Sequence, residues 1–438
     1  MIDSFHSELS QDTQCGQTSK RPRPRVWLFD SLCFTPWYTS ELAHALGSSG
    51  ANVRLICGPF SREPRYFQRS GLLPAPGPVH LAHLLKRAPA LIKRAARVGE
   101  VMLNHRALAL SLRHKRGAQP DLLHLQQLPM LNQGLRSDFA LIDAAQHAGI
   151  PVVHTVHNLL PHDTGESLRR TYAELYSSVD HLVCHSHSTA NRLMHEFGIS
   201  EHGLSVIPHG PLFAPKHRPT EQTKQAARLS LGIPIEQRVI LWQGVLAPYK
   251  GLDVLLEAWK LYLRQRNTRN EASPLLLIAG SGPAVLESEI RRASAAIGST
   301  VRADLRYISS DRLPLYYEAA DILAYPYRSI TTSGAMLTGL SYGKPIIASR
   351  LAAFEDYLVD GGNALLVPPE DTSALADALS RLLTDDGAGP PSAIMTSSLY
   401  AQLAAGAEKN ESRCTGWPEI ADRTMTLYRD LLARKSSV

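Results

Sequence analysis

The chain contains 438 residues, of which 44% are hydrophobic and 20% are charged, and its formal net charge is +6. Two domains of roughly 200 residues, each with its own core, fit this length. The apolar stretches are shorter, or more broken by charge, than a membrane span of about 20 residues requires. The polar N-terminus lacks the apolar segment of a secretion signal. We therefore expect a cytoplasmic protein without a membrane-spanning helix.

Apolar runs alternate with amphipathic stretches in both halves, which is typical of parallel sheets covered by helices. In the first half, the predicted strands are 26–29, 53–57, 122–125, 152–155, 181–184 and 205–207. In the second half, they are 239–242, 275–279, 305–308, 322–325, 345–348 and 364–367. The pattern predicts an α/β protein with two doubly wound, Rossmann-like domains.

The boundary between the two predicted domains lies at residues 211–224, where Pro and charged residues replace the periodic pattern. We divide the chain into a disordered tail (1–24), an N-terminal domain (25–212), a C-terminal domain (225–415) and a C-terminal helix (416–435). Ligands of open α/β sheets bind beyond the carboxyl ends of the strands. Two such domains facing each other would therefore form a cleft for a ligand.

Two aromatic residues, Trp37 and Tyr38, follow the first predicted strand. Their rings can stack on an acceptor sugar or flank a lipid-linked acceptor. They can equally belong to the hydrophobic core, and the sequence leaves both interpretations open.

Positive charge is concentrated in residues 81–116, which carry nine Lys or Arg residues and a single acid, Glu100. Because apolar residues are interleaved with these charges, a basic helix over residues 84–116 can lie on an anionic membrane surface. The alternative is a solvated surface helix that packs on the core. No recognised RNA- or DNA-binding motif accompanies this stretch, so we expect no nucleic acid partner.

Two glycine-containing loops of the second half carry residue types that bind phosphate. Lys250 lies in a turn after Gly244, the end of a predicted strand, and its ammonium can meet a diphosphate at the cleft. Gly280 and Gly282, in the sequence IAGSGP, suit a tight turn close to a nucleotide. A lone loop lysine is also commonly a solvent-exposed residue, and only the neighbouring glycines favour a ligand.

A third loop, in the sequence YPYRSITTSGAMLTGLSYGKP, joins a predicted strand to a helix. Ser333 and Gly334 stand at the start of that helix, whose unpaired N–H groups favour a bound phosphate. The alternative is an ordinary connection between a strand and a helix.

Six segments of the second half, taken in order, resemble the nucleotide-binding domain of the GT-B fold glycosyltransferases, most closely family 4. These segments are VIPHGPLF, GVLAPYKGLDVLLEAW, IAGSGP, DRLPLYYEAADILAYPYR, GLSYGKPIIAS and FEDYLVDGGNALLVPPED. The resemblance implies two Rossmann-like domains facing a central cleft and a C-terminal helix that returns to the first domain. It also implies a nucleotide-sugar donor.

The chain departs from the family at three positions. Members usually carry two glutamates separated by seven residues, one contacting the donor sugar and the other the ribose, and the spacing puts these positions at Ile330 and Thr338. The basic residue that usually follows the strand-end glycine is replaced by Val245. The resemblance is therefore to a subfamily without the paired glutamates, in which Lys250 and Arg328 would neutralise the phosphates.

The resemblance assigns the N-terminal loop HTVHNLLPHDTGES to contacts with donor and acceptor. His157 matches the position that meets the donor sugar, where a neutral imidazole can donate a hydrogen bond. His162 and Asp163 would lie on the acceptor side. Asp163 or Glu166 would act as base if the reaction inverted the configuration, and otherwise Asp163 would cap a helix.

The resemblance implies transfer of a hexose from a UDP- or GDP-sugar to a lipid-linked glycan in exopolysaccharide or cell-envelope polysaccharide synthesis, with retention of configuration. Catalysis would depend on His157, Lys250 and Arg328. The predicted donor-binding residues are Gly244, Lys250, Gly280, Gly282, Ser333, Gly334 and Thr338. The acceptor-side residues would be Trp37, Tyr38, His162 and Asp163.

We expect no metal or other cofactor, because the sequence offers no acidic pair suited to a divalent cation. The protein would lie in the cytoplasm, at the inner face of the cell membrane. Two alternatives remain open, a sugar-nucleotide epimerase of GT-B fold and a non-catalytic nucleotide-sugar-binding partner of another transferase.

Overall fold

The computed structural model describes residues 23–58, 60–75, 77, 89–114, 118–128, 130–161, 165–266, 273–383, 398–411 and 415–436. The strands of the first half are β1 (Arg25–Asp30), β2 (Asn52–Cys57), β3 (Leu122–Gln127), β4 (Val152–Val156), β5 (His181–Cys184) and β6 (Leu204–Val206). Those of the second half are β7 (Val239–Gln243), β8 (Leu275–Gly280), β9 (Val301–Leu305), β10 (Ile322–Tyr325), β11 (Ile346–Ser349) and β12 (Ala364–Val367).

Helices flank both sets of strands. Those of the first half are α1 (Pro36–Ser48), α2 (Tyr66–Arg69), α3 (Ala90–Arg113), α4 (Ser137–His147), α5 (Arg169–Ser178) and α6 (His187–Phe197). Those of the second half are α7 (Glu221–Leu231), α8 (Leu252–Gln265), α9 (Ala284–Ile297), α10 (Leu313–Ala319), α11 (Gly334–Leu340), α12 (Ala352–Glu355), α13 (Thr372–Leu383), α14 (Ser398–Glu411) and α15 (Trp417–Ser436). Within the described residues, no helix is long and apolar enough to cross a membrane.

The strands form two six-stranded sheets with the orders β2-β1-β3-β4-β5-β6 and β12-β11-β10-β7-β8-β9, and the paired strands run parallel. Every residue of β4 and β8 is buried, because a parallel sheet carries helices on both faces. This burial explains why the strands read as continuous apolar runs. The α/β prediction of two doubly wound domains is confirmed.

The ninth strand was predicted wrongly, at residues 305–308. The structure has β9 at Val301–Leu305, which pairs only with β8, at the edge of the sheet. After Leu305 the chain turns, and the backbone N–H of Arg306 bonds to the carbonyl of Asp304. The apolar residues Tyr307 and Ile308 therefore lie in the cleft and not in the sheet.

The second domain begins earlier than the predicted boundary at residue 225. Thr220 caps α7, which starts at Glu221, and Ala227 and Leu231 of this helix are buried in the core of the second sheet. At the other end of the chain, α15 packs against α1 and contributes to the core beneath β1 and β2. Residues 1–22 of the predicted tail lie outside the described part of the chain.

The strand orders fix where a ligand can enter. Each order reverses direction at one point, between β1 and β3 in the first sheet and between β7 and β10 in the second. Loops that leave neighbouring strands in opposite directions at such a point open a crevice at the carboxyl edge of the sheet. The loops after β1, β3, β4, β7 and β10 line the space between the two sheets.

Candidate active site

Two adjoining cavities lie between the domains. The larger, of about 260 Å³, is lined by Phe34, Thr35, Trp37, Tyr38, Gln127, His157, Asn158, His209, Leu212, Tyr249, Lys250, Tyr327, Ile330, Thr332, Ser333, Gly334 and Ala335. The smaller, of about 160 Å³, is lined by Trp37, Leu212, Phe213, Gln243, Gly244, Val245, Lys250, Gly280, Ser281, Tyr307, Ile308, Leu313, Tyr317, Gly334, Ala335 and Thr338. Trp37, Leu212, Lys250, Gly334 and Ala335 belong to both and mark the junction.

Among the described residues that line either cavity, Lys250 is the one with a fixed charge. It ends a short 3₁₀ turn, and Gly251 follows with φ +62°, where a side chain would overlap the carbonyl oxygen of Pro326. The Lys250 side chain is 8% exposed, and its Nζ lies 5.4 Å from the ring centroid of Tyr327 and 6.0 Å from that of Tyr249. Burial lowers the pKa of the Lys250 ammonium. Among the described residues, no carboxylate pairs with it.

The glycines after β7 and β8 allow two loops to cross closely. A side chain at Gly280 would overlap the carbonyl oxygen of Gly244, and a Cβ at Gly282 would stand 2.5 Å from the Cβ of Leu246. A side chain at Gly244 would overlap the Nζ of Lys250. Gly244 and Gly280 line the smaller cavity, and Gly244 leaves room for the ammonium of Lys250. Gly282 lines neither cavity and serves the loop crossing alone.

The start of α11 lies at the junction of the cavities. Ser333 is its N-cap, and its Oγ accepts a hydrogen bond of 3.2 Å from the N–H of Met336. A Cβ at Gly334 would approach Leu212 Cδ1 to 2.8 Å, so the glycine lets the N-terminal domain pack on this helix. Thr338 is fully buried, and its Oγ1 accepts a 3.3 Å hydrogen bond from the N–H of Leu212.

His157 lies across the larger cavity, at the end of β4. Its Nε2 is 3.0 Å from Oε1 of Gln126, and the ring of Tyr38 meets it edge-on with 4.7 Å between centroids. Burial, reinforced by the charges of His185 and His209, holds the pKa of His157 well below its ordinary value. The imidazole is therefore neutral at physiological pH.

Solved structures of known proteins have this architecture. A glycosyltransferase from Rickettsia africae is 15% identical with a TM-score of 0.68, covering 94% of this chain and 98% of that chain. HepE of Anabaena in complex with UDP and glucose is 15% identical with a TM-score of 0.68, covering 93% of this chain and 100% of that chain. Sucrose-phosphate synthase from Thermosynechococcus elongatus is 19% identical with a TM-score of 0.67, covering 94% and 100%. These likenesses show the fold.

The two domains match separate family models. The model described as "Glycosyltransferase Family 4" matches residues 36–210, and the model described as "Glycosyl transferases group 1" matches residues 237–385. The chain is a GT-B glycosyltransferase that resembles family 4. Both cavities of the glycosyltransferase therefore lie between the domain that matches the first model and the domain that matches the second.

Curated relatives of the glycosyltransferase share one description. A D-inositol 3-phosphate glycosyltransferase from Acidothermus cellulolyticus is 30% identical over 305 residues, which is 67% of this chain and 64% of the relative. The same description applies to a protein from Corynebacterium glutamicum, which is 27% identical over 66% of this chain and 68% of its own length. The chain therefore spans about two-thirds of the length of these relatives.

Most predicted site residues of the glycosyltransferase line the two cavities. Trp37, Tyr38, His157, Lys250, Ser333 and Gly334 line the larger cavity, and Gly244, Gly280 and Thr338 line the smaller. Trp37 also packs against Phe60 and Phe213, each with 5.5 Å between ring centroids. Tyr38 is 3% exposed and belongs to the core as well as to the cavity wall. His162 and Asp163 lie outside the described residues.

Arg328 is the exception among the predicted phosphate ligands, since it lines neither cavity. Its guanidinium pairs with Asp253 at 2.7 Å and with Glu370 at 2.8 Å. It also donates to the carbonyl of Pro248 at 2.5 Å. Arg328 therefore braces the turn that carries Lys250, and its own charge is already neutralised.

Sequence reasoning missed several residues of the cavity wall. Tyr249 and Tyr327 flank the ammonium of Lys250, and His209 packs on Tyr38 with 4.8 Å between ring centroids. His209 follows β6 in the sequence VIPHG, so its place after a strand was the available signal. Among the described residues, no group of three His, Cys, Asp or Glu side chains could hold a metal ion.

Proposed function

We propose that the glycosyltransferase moves a hexose from a UDP- or GDP-sugar to a hydroxyl of a glycan acceptor. The observation that carries this proposal is the Lys250 ammonium, which is 8% exposed and has no carboxylate partner among the described residues. A buried charge without a partner is costly, and a diphosphate at the junction of the cavities would supply the missing charge. The nucleoside would then occupy the smaller cavity and the hexose the larger.

Charge stabilisation of the leaving group would provide much of the catalysis. Lys250 would stabilise the diphosphate as the bond to the sugar breaks, while the walls of the larger cavity would hold donor and acceptor together. None of the described residues that line this cavity is acidic. This favours a retaining transfer in which the leaving phosphate takes the acceptor's proton. Of the two alternative bases, Asp163 lies outside the described residues, and Glu166 is exposed and paired with Arg169 at 2.7 Å.

The identity of the donor base is supported by similar proteins. HepE of Anabaena has been crystallised with UDP-glucose, and the catalytic domain of starch synthase IV from Arabidopsis thaliana with ADP and acarbose. We therefore propose a nucleoside diphosphate donor, with UDP as the first candidate to test.

The acceptor that we propose is a neutral, lipid-linked glycan. The relatives described as D-inositol 3-phosphate glycosyltransferases suggest a phosphorylated polyol as the alternative. Among the described residues that line the larger cavity, however, Lys250 alone carries a fixed positive charge, and the donor would use it. A phosphorylated acceptor would find no second cation there, which favours a neutral sugar.

We also propose that α3 docks the enzyme on an anionic membrane, where a lipid-linked acceptor resides. At the start of this helix Leu91 is 81% exposed and Ile92 is 50% exposed. Lys93, Arg94 and Arg97 are exposed on the same turns. Two apolar side chains surrounded by cations suit the boundary between headgroups and acyl chains. The rest of the predicted basic stretch, residues 84–88 and 115–116, lies outside the described residues.

Vesicle flotation tests the membrane proposal. We expect the protein to float with phosphatidylglycerol vesicles, to stay behind with phosphatidylcholine vesicles, and to lose flotation in the double variant Leu91→Glu/Ile92→Glu. The control is Leu229→Glu, because Leu229 is 69% exposed on α7 of the other domain. Equal flotation of the double variant and the wild type would refute docking through α3.

Thermal unfolding with UDP, GDP, ADP and their hexose conjugates tests the donor proposal. At a ligand concentration of about 100 times Kd, we expect the melting temperature to rise by about 5 °C with UDP. Lys250→Met should abolish this rise. Lys260→Met is the matched control, because Lys260 pairs with Glu257 on the surface of α8. If no nucleotide stabilises the wild type, the donor proposal fails.

Incubation of a stabilising nucleotide-sugar with and without a glycan acceptor separates the remaining alternatives. A transferase releases the nucleoside diphosphate faster when acceptor is present. An epimerase converts the donor without acceptor, and a non-catalytic binding partner does neither. Proton NMR of the products distinguishes the three, because an epimer has the same mass as the donor but different couplings between its ring protons.

A further inference from the structure

A chain of hydrogen bonds connects the C-terminal helix with His157. Tyr428 on α15 places its hydroxyl 2.5 Å from Nδ1 of His124, and Nε2 of His124 lies 2.7 Å from Oγ1 of Thr155. Nε2 of Gln126 donates to the same Oγ1 at 3.4 Å. Oε1 of Gln126 lies 3.0 Å from Nε2 of His157. This series of hydrogen bonds thus ends at an imidazole that lines the larger cavity.

The two central strands bring these side chains together. His124 and Gln126 are two residues apart on β3, so their side chains point to the same face of the sheet. Thr155 lies on the adjacent strand β4, where Leu125 is paired with His154. His124, Gln126, Thr155 and Tyr428 are at most 1% exposed. Buried polar groups of this kind need partners, and these hydrogen bonds provide them.

The amide oxygen of Gln126 indicates which nitrogen of His157 carries the proton. A neutral imidazole has a single N–H, and the low pKa of His157 keeps the ring neutral. The amide oxygen of Gln126 can only accept a hydrogen bond, so the proton lies on Nε2. Nδ1 is then left with a lone pair, and no described residue bonds to it. The sequence had instead suggested an imidazole that donates into the cavity.

We propose that Gln126, held by Thr155, fixes His157 in the Nε2–H tautomer, so that Nδ1 accepts a hydrogen bond from a sugar hydroxyl in the larger cavity. This inference rests on the proposed function for its ligand. The site would select a ligand that presents a hydroxyl at this point over one that presents a carbonyl or ether oxygen. Gln126 is a positioning residue, since it acts on the sugar through His157.

Nitrogen-15 NMR of the full chain with labelled histidines tests the tautomer directly. His157→Gln identifies the signals of His157 by their loss. We expect the wild type to show one neutral tautomer, with a proton on Nε2. Gln126→Met and Thr155→Val should each produce a mixture of tautomers, while Thr155→Ser, which keeps the hydroxyl, should restore the single form.

Steady-state kinetics measure how the tautomer of His157 affects catalysis. We expect Gln126→Met and Thr155→Val to lower kcat/KM by about fivefold to tenfold, the effect of one misplaced hydrogen bond, and Thr155→Ser to recover it. Tyr172→Phe is the control, because Tyr172 is a tyrosine of the same domain whose hydroxyl donates to Oδ1 of Asn132 at 2.8 Å, outside the series of hydrogen bonds that leads to His157. An Nδ1–H tautomer in the wild type, or an unchanged tautomer in both variants, would overturn the inference.

The two proposals fail in different ways. Loss of the proposed function would appear as absent turnover and absent nucleotide binding in the wild type, with the tautomer of His157 unaffected. Loss of the tautomer assignment would appear in the NMR spectra of a protein that still binds and turns over its donor.

Discussion

At the scale of single residues, the smaller cavity differs from a typical nucleotide site in its lack of carboxylates. None of the described residues that line it is acidic. Thr338 stands at the position where the family resemblance places a ribose-binding glutamate, and its Oγ1 is already bonded to the N–H of Leu212. A ribose in this cavity would therefore meet no charged acceptor.

The first prediction concerns recognition of the ribose. A hydrogen bond to a charged group contributes roughly 1.5–3 kcal/mol, and its absence removes most of the preference for a 2′-hydroxyl. We expect UDP and 2′-deoxy-UDP to bind with dissociation constants within about threefold of each other. Isothermal titration calorimetry measures both. Binding of the deoxy form that is weaker by tenfold or more would show that another group recognises the hydroxyl.

The second prediction separates two roles of Arg328. As a brace for the Lys250 turn, Arg328 needs its partner Asp253, so Asp253→Asn and Arg328→Gln should weaken UDP binding by similar factors of about threefold to tenfold. As a phosphate ligand, Arg328 would be released by Asp253→Asn, and binding would strengthen. Titration of both variants with UDP decides between these roles, with Asp377→Asn on α13 as a control for lost surface charge.

At the scale of elements, the strands were predictable and the site only in part. Buried parallel strands read as apolar runs whatever surrounds them, whereas β9 is an edge strand with the mixed sequence VRADL. The apolar residues Tyr307 and Ile308 after β9 line the cleft. For this reason the prediction placed the strand at residues 305–308. The ion pair of Arg328 with Asp253 joins residues 75 positions apart, so local sequence could not reveal it. His157 and Lys250 stood at strand ends and were recognisable for that reason.

The C-terminal helix α15 is the element that most affects the first domain. Ile420, Met425 and Tyr428 are at most 1% exposed and lie in one core with α1 and β1. Nε1 of Trp417 donates to the carbonyl of Pro211 at 2.8 Å. The helix therefore belongs to the first domain although it follows the second in sequence.

The third prediction concerns this helix. Ile420→Ala should lower the free energy of unfolding of the N-terminal domain by about 2–5 kcal/mol, because it leaves a cavity in the core. Urea unfolding followed by circular dichroism measures the loss. Arg423→Ala is the control on the same helix, since Arg423 forms an exposed pair with Glu419, and we expect a change within about 1 kcal/mol. Equal effects of the two variants would argue that α15 contributes little to the core.

At the scale of the whole molecule, one loop of the N-terminal domain bonds to residues in the wall of the smaller cavity. The carboxylate of Glu63 is 6% exposed and accepts hydrogen bonds from the hydroxyl of Tyr307 at 2.5 Å and from Ser310 at 2.6 Å and 2.9 Å. The guanidinium of Arg62 lies 5.0 Å from the ring centroid of Tyr307 and donates to Ser281 at 3.2 Å. Tyr307 and Ser281 both line the smaller cavity, so this contact links the spacing of the domains to the shape of that cavity.

The fourth prediction follows from this contact. Glu63→Ala removes the acceptor of three hydrogen bonds between the domains, and each hydrogen bond to a charged group contributes roughly 1.5–3 kcal/mol. We expect the domains to separate, with a larger radius of gyration in small-angle X-ray scattering without ligand and a dissociation constant for UDP raised by at least about tenfold. Glu289→Ala, on the exposed face of α9, should change neither value. If Glu63→Ala keeps the radius of gyration and the UDP affinity of the wild type, the domain arrangement is held by other contacts, and the cavity forms without this loop.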